Sequence, residues 1–184
     1  MIFEGRNNEQ WYAMSSPYRR ELKAEDALVK RGFECFIPKK RTEKIDRCNQ
    51  RKVTHAPVIH NLIFVHTTRL ALHSAKREMN DLLQYLMKPT ASGKREPVVV
   101  PEKQMDDFLR LYQEMPDELI YLSPEDITTL RENARVIIGD GVFKGIEGYL
   151  QRITGKREKC FIVKVDNVLA AACTVKCHFV KISK

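Results

Sequence analysis

Beyond residue 133 the chain offers only short apolar segments, the first of them broken by closely spaced glycines. Ala134–Ile138, Glu147–Ile153, Cys160–Asp166, Ala172–Cys177 and Phe179–Ile182 read as five strands in about 50 residues. Gly139, Gly141, Gly145, Gly148 and Gly155 punctuate them. Strands this short bury a face only by pairing with one another, so the pattern predicts a small closed β-barrel. The densest stretch, Gly139-Asp140-Gly141-Val142-Phe143-Lys144-Gly145-Ile146-Glu147-Gly148, runs strand, glycine-rich turn, one aromatic, glycine, strand. Glycine is required where the chain reverses with positive φ or where backbones approach closely. Phe143 is placed to plug the barrel end. A phosphate-binding loop is excluded. The G-x-x-x-x-G-K-[ST] spacing is missing, and a strand follows where an anion-binding helix N-terminus would be needed.

The first two thirds of the chain alternate strands and helices. Gln10–Met14 is a short buried strand, and Ser16-Pro17 opens a helix with Ser16 as N-cap and Pro17 at the first helical position. Leu22, Ala24, Ala27, Leu28 and Arg31 are spaced along one helical face, and Gly32 ends the helix. Phe33–Pro38 is a strand, residues 39–54 are an exposed basic hairpin or loop, and Val58–Val65 is a central strand. A second helix over 69–80 aligns Leu72, Ala75, Met79 and Leu82, and Leu83–Met87 is a fourth strand. Pro101 opens a third helix with Met105, Phe108, Leu109 and Tyr112 at i, i+3, i+4, i+7. Residues 113–133 hold Pro116, Pro124 and six acidic side chains against Arg131 alone, the composition of a linker.

The charge is segregated. Residues 1–60 carry 13 basic and 8 acidic side chains, 61–133 carry 9 and 12, and 134–184 carry 10 and 4, for a net +8 overall. Two basic blocks around an acidic middle favour a polyanionic partner, nucleic acid first. A content of 43% hydrophobic and 30% charged residues is that of a soluble globular protein. No apolar run reaches transmembrane length, and the N-terminal residues show no signal-peptide pattern, so a cytoplasmic monomer is expected. Five irregularly spaced cysteines fit free thiols in a reducing compartment. Cys173 and Cys177 would lie about 13 Å apart in a strand, too far for one zinc. Cys35, Cys48 and Cys160 have no partner spacing. No metal, cofactor or catalytic motif is found, and no enzymatic activity is expected.

The first helix holds a local conflict. Tyr18, Arg19, Arg20 and Lys23 crowd its start, where cations oppose the helix macrodipole. A sequence selected for stability alone would place acids there. The misplacement points to contact with phosphates or bases of exposed DNA, with Tyr18 stacking on a base and Lys30 and Arg31 extending the patch.

Val136–Leu150 resembles the KOW motif of the NusG family of transcription elongation factors. The N-terminal half is similar to that family's NGN domain in the order of its segments. These are Trp11-Tyr12 on the first strand, a helix, a strand ending in Ile37-Pro38, a basic excursion, and Ile59-His60-Asn61-Leu62-Ile63-Phe64-Val65 in place of the family's F-P-G-Y-V-F-V. Several details resemble the specialised RfaH-like or UpxY-like antiterminators. The resemblance implies an α+β protein: an NGN α/β sandwich over 8–112, an acidic linker over 113–131, and an SH3-like KOW barrel over 132–184. It implies a non-catalytic elongation and antitermination factor that docks on RNA polymerase through Ala13, Ser15, Leu62, Phe64 and Tyr85. In specialised relatives the position of His73 touches the opposite polymerase lobe. The resemblance also implies that the region around Tyr18 reads the non-template DNA strand and that the KOW barrel recruits a ribosomal protein or Rho. The departure of His60-Asn61-Leu62 from Pro-Gly-Tyr, and Ser15 in place of an aromatic, imply docking tuned to a particular polymerase. The basic C-terminal block also supports another reading, a general RNA- or ribosome-binding KOW protein without polymerase contact.

Overall fold

The structure, a computed structural model, describes residues 8–45, 49–122, 127–128, 135–153, 157–174 and 180–182. The chain forms two compact units, residues 1–100 and 101–184.

In the first unit the elements are β1 (Gln10–Ser15), α1 (Glu21–Val29), β2 (Glu34–Phe36), β3 (Lys39–Ile45), β4 (Arg51–Pro57), β5 (Ile63–Thr67), α2 (Arg69–Glu78), β6 (Gln84–Tyr85), β7 (Met87–Pro89), β8 (Arg95–Pro97) and β9 (Val99–Val100). An antiparallel sheet runs β2-β5-β1-β6, with β9 also on β1. Ala13 stands opposite Phe64 and Tyr12 opposite Val65. The period of two in a strand sends Tyr12, Met14, Ile63 and Val65 to one face. There they pack with Ala24 and Leu28 of α1 and with Leu72, Ala75 and Met79 of α2 and its end. Trp11, Ala13, Phe64 and Val100 belong to the other face and are also buried. His66 stacks on Trp11 with ring centroids 4.9 Å apart. A sheet buried on both faces reads as the near-continuous apolar runs seen in β1 and β5.

The second helix follows its sequence pattern. Thr68 caps it by accepting from the Ala71 N–H at 3.3 Å, and Lys76 and Arg77 stand in its last turn. The first helix departs from expectation. Pro17–Arg19 is a single 3-10 turn, and α1 begins only at Glu21. Ser16 makes no side-chain cap, and Tyr18 has φ 60° and ψ 30°, outside the helical region. Leu22, assigned to the apolar stripe, is exposed.

The second unit contains α3 (Glu102–Glu114), β10 (Ile120–Tyr121), β11 (Arg135–Ile138), β12 (Glu147–Arg152), β13 (Lys159–Val165), β14 (Leu169–Cys173) and β15 (Val180–Ile182). They form a six-stranded antiparallel sheet in the order β10-β14-β13-β12-β11-β15. The expected closed barrel is not found among the described residues. Ile120 and Tyr121 occupy the edge of β14 by pairing with Ala172 and Ala171, and among the described residues β15 pairs with β11 alone. Residues assigned to a linker thus supply a strand. The third helix falls within residues 101–184. It buries Met105, Asp107, Phe108 and Leu111. Cys160 and Cys173 are buried thiols, while Cys48 and Cys177 lie outside the described residues. Gly155 is outside them too.

Candidate functional site

The turn between β1 and α1 carries the most unusual backbone in the first unit. Tyr18 and Arg19 are consecutive non-glycine residues with φ of 60° and 55°. Each costs about 1–2 kcal/mol against the ordinary helical region, and such conformations concentrate where the surroundings over-determine them. Here the surroundings are the His60-Asn61 corner before β5. Asn61 Oδ1 accepts the Arg19 N–H at 3.3 Å, and its carbonyl accepts the Ser16 N–H at 3.2 Å. The Asn61 N–H donates in turn to Oε1 of Glu21, a carboxylate only 1% exposed, with His60 Nδ1 3.8 Å from the same oxygen.

Asn61 itself has φ 61°. That explains how it stands where the signature has glycine. Asparagine is among the few residues that enter the left-handed region at low cost. Its side chain then does what glycine has no atoms to do, which is to hold the Arg19 turn. Sequence reading missed Glu21 and Asn61 as positioning residues. The signal was present as an acid near the helix start and an asparagine at a glycine position.

The clamp holds Tyr18 out in solvent, 83% exposed. Arg20 lies over its ring, with Cζ 5.6 Å from the centroid. Arg20 also reaches Asp81 at 3.1 Å. Arg19 and Lys23 are exposed, and neither has an ion pair among the described residues. Lys23 falls in the first turn of α1, whereas Tyr18, Arg19 and Arg20 precede the helix. The dipole conflict read from the sequence therefore applies to Lys23 and, at the cap, Arg20. Lys30 and Arg31 stand at the far end of α1, about 10 Å along the axis from Lys23. Arg31 is engaged by Glu78 at 3.3 Å and by the Ala27 carbonyl at 3.0 Å. The patch is thus concentrated at Tyr18, Arg19, Arg20 and Lys23.

The residues expected to form an apolar docking surface divide. Ala13, Leu62 and Phe64 are buried, Phe64 completely, and offer no surface in this structure. Ala13 and Phe64 stand on β1 and β5, the two central strands of the first sheet, and Leu62 directly precedes β5. Ser15 and Tyr85 are half-buried and His73 is exposed. Tyr85 and His73, distant in sequence, line one open cavity of about 680 Å³ with Leu70, Met87, Arg69 and Arg95. Leu70 is 83% exposed, an unusual position for leucine. Burial pushes the Tyr85 hydroxyl pKa up, with nearby Arg69 opposing.

In the second unit the glycine-rich stretch forms the turn between β11 and β12. Gly141 and Gly145 have φ of 81° and 84°. Asp140 Oδ1 accepts the Gly141 N–H at 2.8 Å, and the Gly145 N–H returns to the Ile138 carbonyl at 2.8 Å. Gly139 is half-buried just before this turn. Gly148 serves a different need, the close approach of β13. Phe143 is only half-buried and does not plug the sheet; the fully buried residue of the turn is Ile146. Side chains of α3 fasten the turn. Arg110 donates to the Val142 and Lys144 carbonyls at 3.1 and 3.3 Å, and Lys103 donates to the Gly145 carbonyl at 3.1 Å. Asp107, 3% exposed, accepts the Glu147 N–H at 3.1 Å and pairs with Lys103 at 2.7 Å.

A family model described as "Transcription termination factor nusG" matches residues 9–109. The chain belongs to the NusG family. Among solved structures, this NusG-family chain is similar to one titled "Domain interaction in Thermotoga maritima NusG". The identity is 14% and the TM-score 0.46, over 96% of this chain and 98% of that one. No curated protein matches it. Among the described residues no group of three or more His, Cys, Asp or Glu could hold a metal ion, and no helix is long and apolar enough to cross a membrane.

Proposed function

We propose that this NusG-family protein is a non-catalytic transcription elongation and antitermination factor of the specialised, RfaH-like or UpxY-like kind. Residues 9–109 engage RNA polymerase, and the turn at Tyr18, Arg19 and Arg20 holds the exposed non-template DNA strand. The observation that carries this reading is the left-handed Tyr18-Arg19 turn. An exposed aromatic with an arginine over its ring is kept in a costly conformation by Asn61 and Glu21. A stacking platform flanked by cations is the equipment for single-stranded nucleic acid, and holding it rigid lowers the entropy lost on binding.

The polymerase contact uses the cavity beside α2, where Leu70, Met87 and Tyr85 give apolar area and His73 a polar contact. The six-stranded sheet is the KOW domain and recruits a ribosomal protein or Rho. A factor of this kind acts by binding the elongating polymerase more tightly than the paused one, and a few kcal/mol of difference shifts the population.

Single-round transcription with the cognate polymerase, with and without the full-length protein, tests the reading. Readthrough at pause and terminator sites is expected to rise with the protein and to fall back with Tyr18→Ala or with Arg19→Ala plus Arg20→Ala. In binding to single-stranded DNA, the double variant should flatten the log–log salt slope by about 1.4, two phosphates at about 0.7 each. Readthrough that does not respond to the wild-type protein refutes the proposal.

A further inference from the structure

The β3–β4 hairpin belongs to neither large sheet. It is a two-stranded ribbon of seven register pairs, from Lys39 opposite Pro57 to Ile45 opposite Arg51. Its base is closed by the Val58 N–H donating to the Pro38 carbonyl at 2.9 Å, and by Lys39 pairing with Glu25 of α1. Beyond the base, residues 40–43 and 49–55 are all exposed or half-exposed, on both faces of the ribbon. Isolated two-stranded hairpins are marginally stable, since neither face gains a core. This one is fastened at its middle by polar contacts instead. The Thr42 and Thr54 hydroxyls meet at 3.0 Å, and Thr42 Oγ1 also donates to the Thr54 carbonyl at 3.1 Å.

The charges on the ribbon oppose its stability. Its strands hold six Lys and Arg against Glu43 alone. The two faces differ. On one, Glu43 stands 4.0 Å from Arg41 and offsets it. The other carries Lys40, Thr42, Lys52, Thr54 and Ala56, with no acid among them. Among the described residues neither Lys40 nor Lys52 has an ion pair. An element that gains little by burial and repels itself fits a polyanion that neutralises it.

The dimensions choose among polyanions. Two strands stand about 4.8 Å apart and, with side chains, match a B-DNA major groove about 12 Å wide, which admits a two-stranded ribbon. The deep, narrow major groove of an RNA duplex does not. Lys40 and Lys52 are separated by four rungs, about 14 Å, and reach phosphates on the groove rim while the threonine rung faces its floor. We infer that the Lys40–Thr42–Lys52–Thr54 face of the β3–β4 ribbon is a second nucleic-acid site that takes double-stranded DNA in the major groove. It is separate from the Tyr18 turn and independent of any contact with polymerase.

The full-length protein is titrated by fluorescence anisotropy into a 20-base-pair DNA duplex, the same sequence as an RNA duplex, and the single strand, at several salt concentrations. Lys40→Ala with Lys52→Ala is expected to weaken DNA duplex binding about tenfold at low salt. The log–log slope should flatten by about 1.8, two phosphates at about 0.9 each, with single-strand binding unchanged. Arg19→Ala with Arg20→Ala gives the converse pattern. Distamycin, which fills the minor groove, does not compete. Both lysines are exposed, so the variant folds, and an unchanged far-UV circular dichroism spectrum verifies it. Duplex affinity unchanged in the lysine variant, RNA duplex bound as tightly as DNA, or displacement by distamycin overturns the inference.

Discussion

Gly148→Ala tests the packing that holds the glycine-rich turn. Gly148 lies in β12 opposite Val136 of β11. A methyl group on its Cα would stand 2.4 Å from the Ile162 carbonyl oxygen and 2.7 and 2.9 Å from Cζ and Cε2 of Phe161. Favourable contacts begin near 3.5 Å, so about 1 Å of relief is required. Neither neighbour yields easily. Phe161 is completely buried, and Ile162 is fixed by its pairing with Tyr149. The cost should reach the upper end for overpacking, about 3 kcal/mol. For a unit of this size each kcal/mol lowers the melting temperature by about 4–8 °C, which gives a loss of about 12–24 °C. Gly145→Ala is the control. It has φ 84° and nothing within 4 Å of the new methyl, so only the left-handed backbone opposes it, at about 1–2 kcal/mol. Gly145→Asn should recover part of that loss, and Gly148→Asn should be worse than Gly148→Ala. Differential scanning calorimetry measures all four. If Gly148→Ala melts within 3 °C of the parent, or no lower than Gly145→Ala, the close-approach reasoning fails.

Glu21→Ala leaves the Asn61 N–H without its acceptor inside the turn and should cost about 1–3 kcal/mol in urea unfolding. It should also weaken single-strand DNA binding although Glu21 carries the wrong charge to bind it; stronger binding would show that Glu21 acts by repulsion and not by positioning. Burial, reinforced by Cys160 and Glu118, pushes the Cys173 thiol from 9.0 up to about 12. At pH 8 a disulfide reagent should therefore modify it only as fast as the chain unfolds. The folded state keeps the proton that the unfolded state loses, so this contribution to stability is intact below about pH 9 and declines from there towards about pH 12. Stability that rises across that interval in a Cys173-only variant would contradict the burial.

Local patterns were legible where a single element decides them. The α2 stripe of Leu72, Ala75 and Met79 and the strands around Ile137, Leu150 and Ile162 follow from local periodicity and the glycines before them, whereas the strand read as Ala172–Cys177 begins at Leu169 and ends at Cys173. Ser16-Pro17 misled because a good N-cap pair signals a helix but cannot register a competing clamp. The hydrogen bonds from Asn61, more than 40 residues away, hold Tyr18 and Arg19 left-handed and postpone the helix to Glu21. Phe64 was open to two readings because an apolar side chain in a strand looks the same whether it faces a core or a partner. In this structure its side chain is buried. Ile120 and Tyr121 were obscured by the acidic residues around them, since a strand of two residues has no period to detect.

The sequence by itself determined the residue chemistry and the local order of elements: a strand and helix region, a glycine-punctuated strand region, cations and an aromatic at one turn, and a basic hairpin. These depend on neighbours within a few positions, which composition and periodicity report. Only tertiary structure decided which groups meet. It brought Asn61 to Arg19, Tyr85 to His73, α3 to the glycine-rich turn, and Ile120 to the edge of β14. Such contacts depend on how separate elements pack, and no spacing along the chain encodes them.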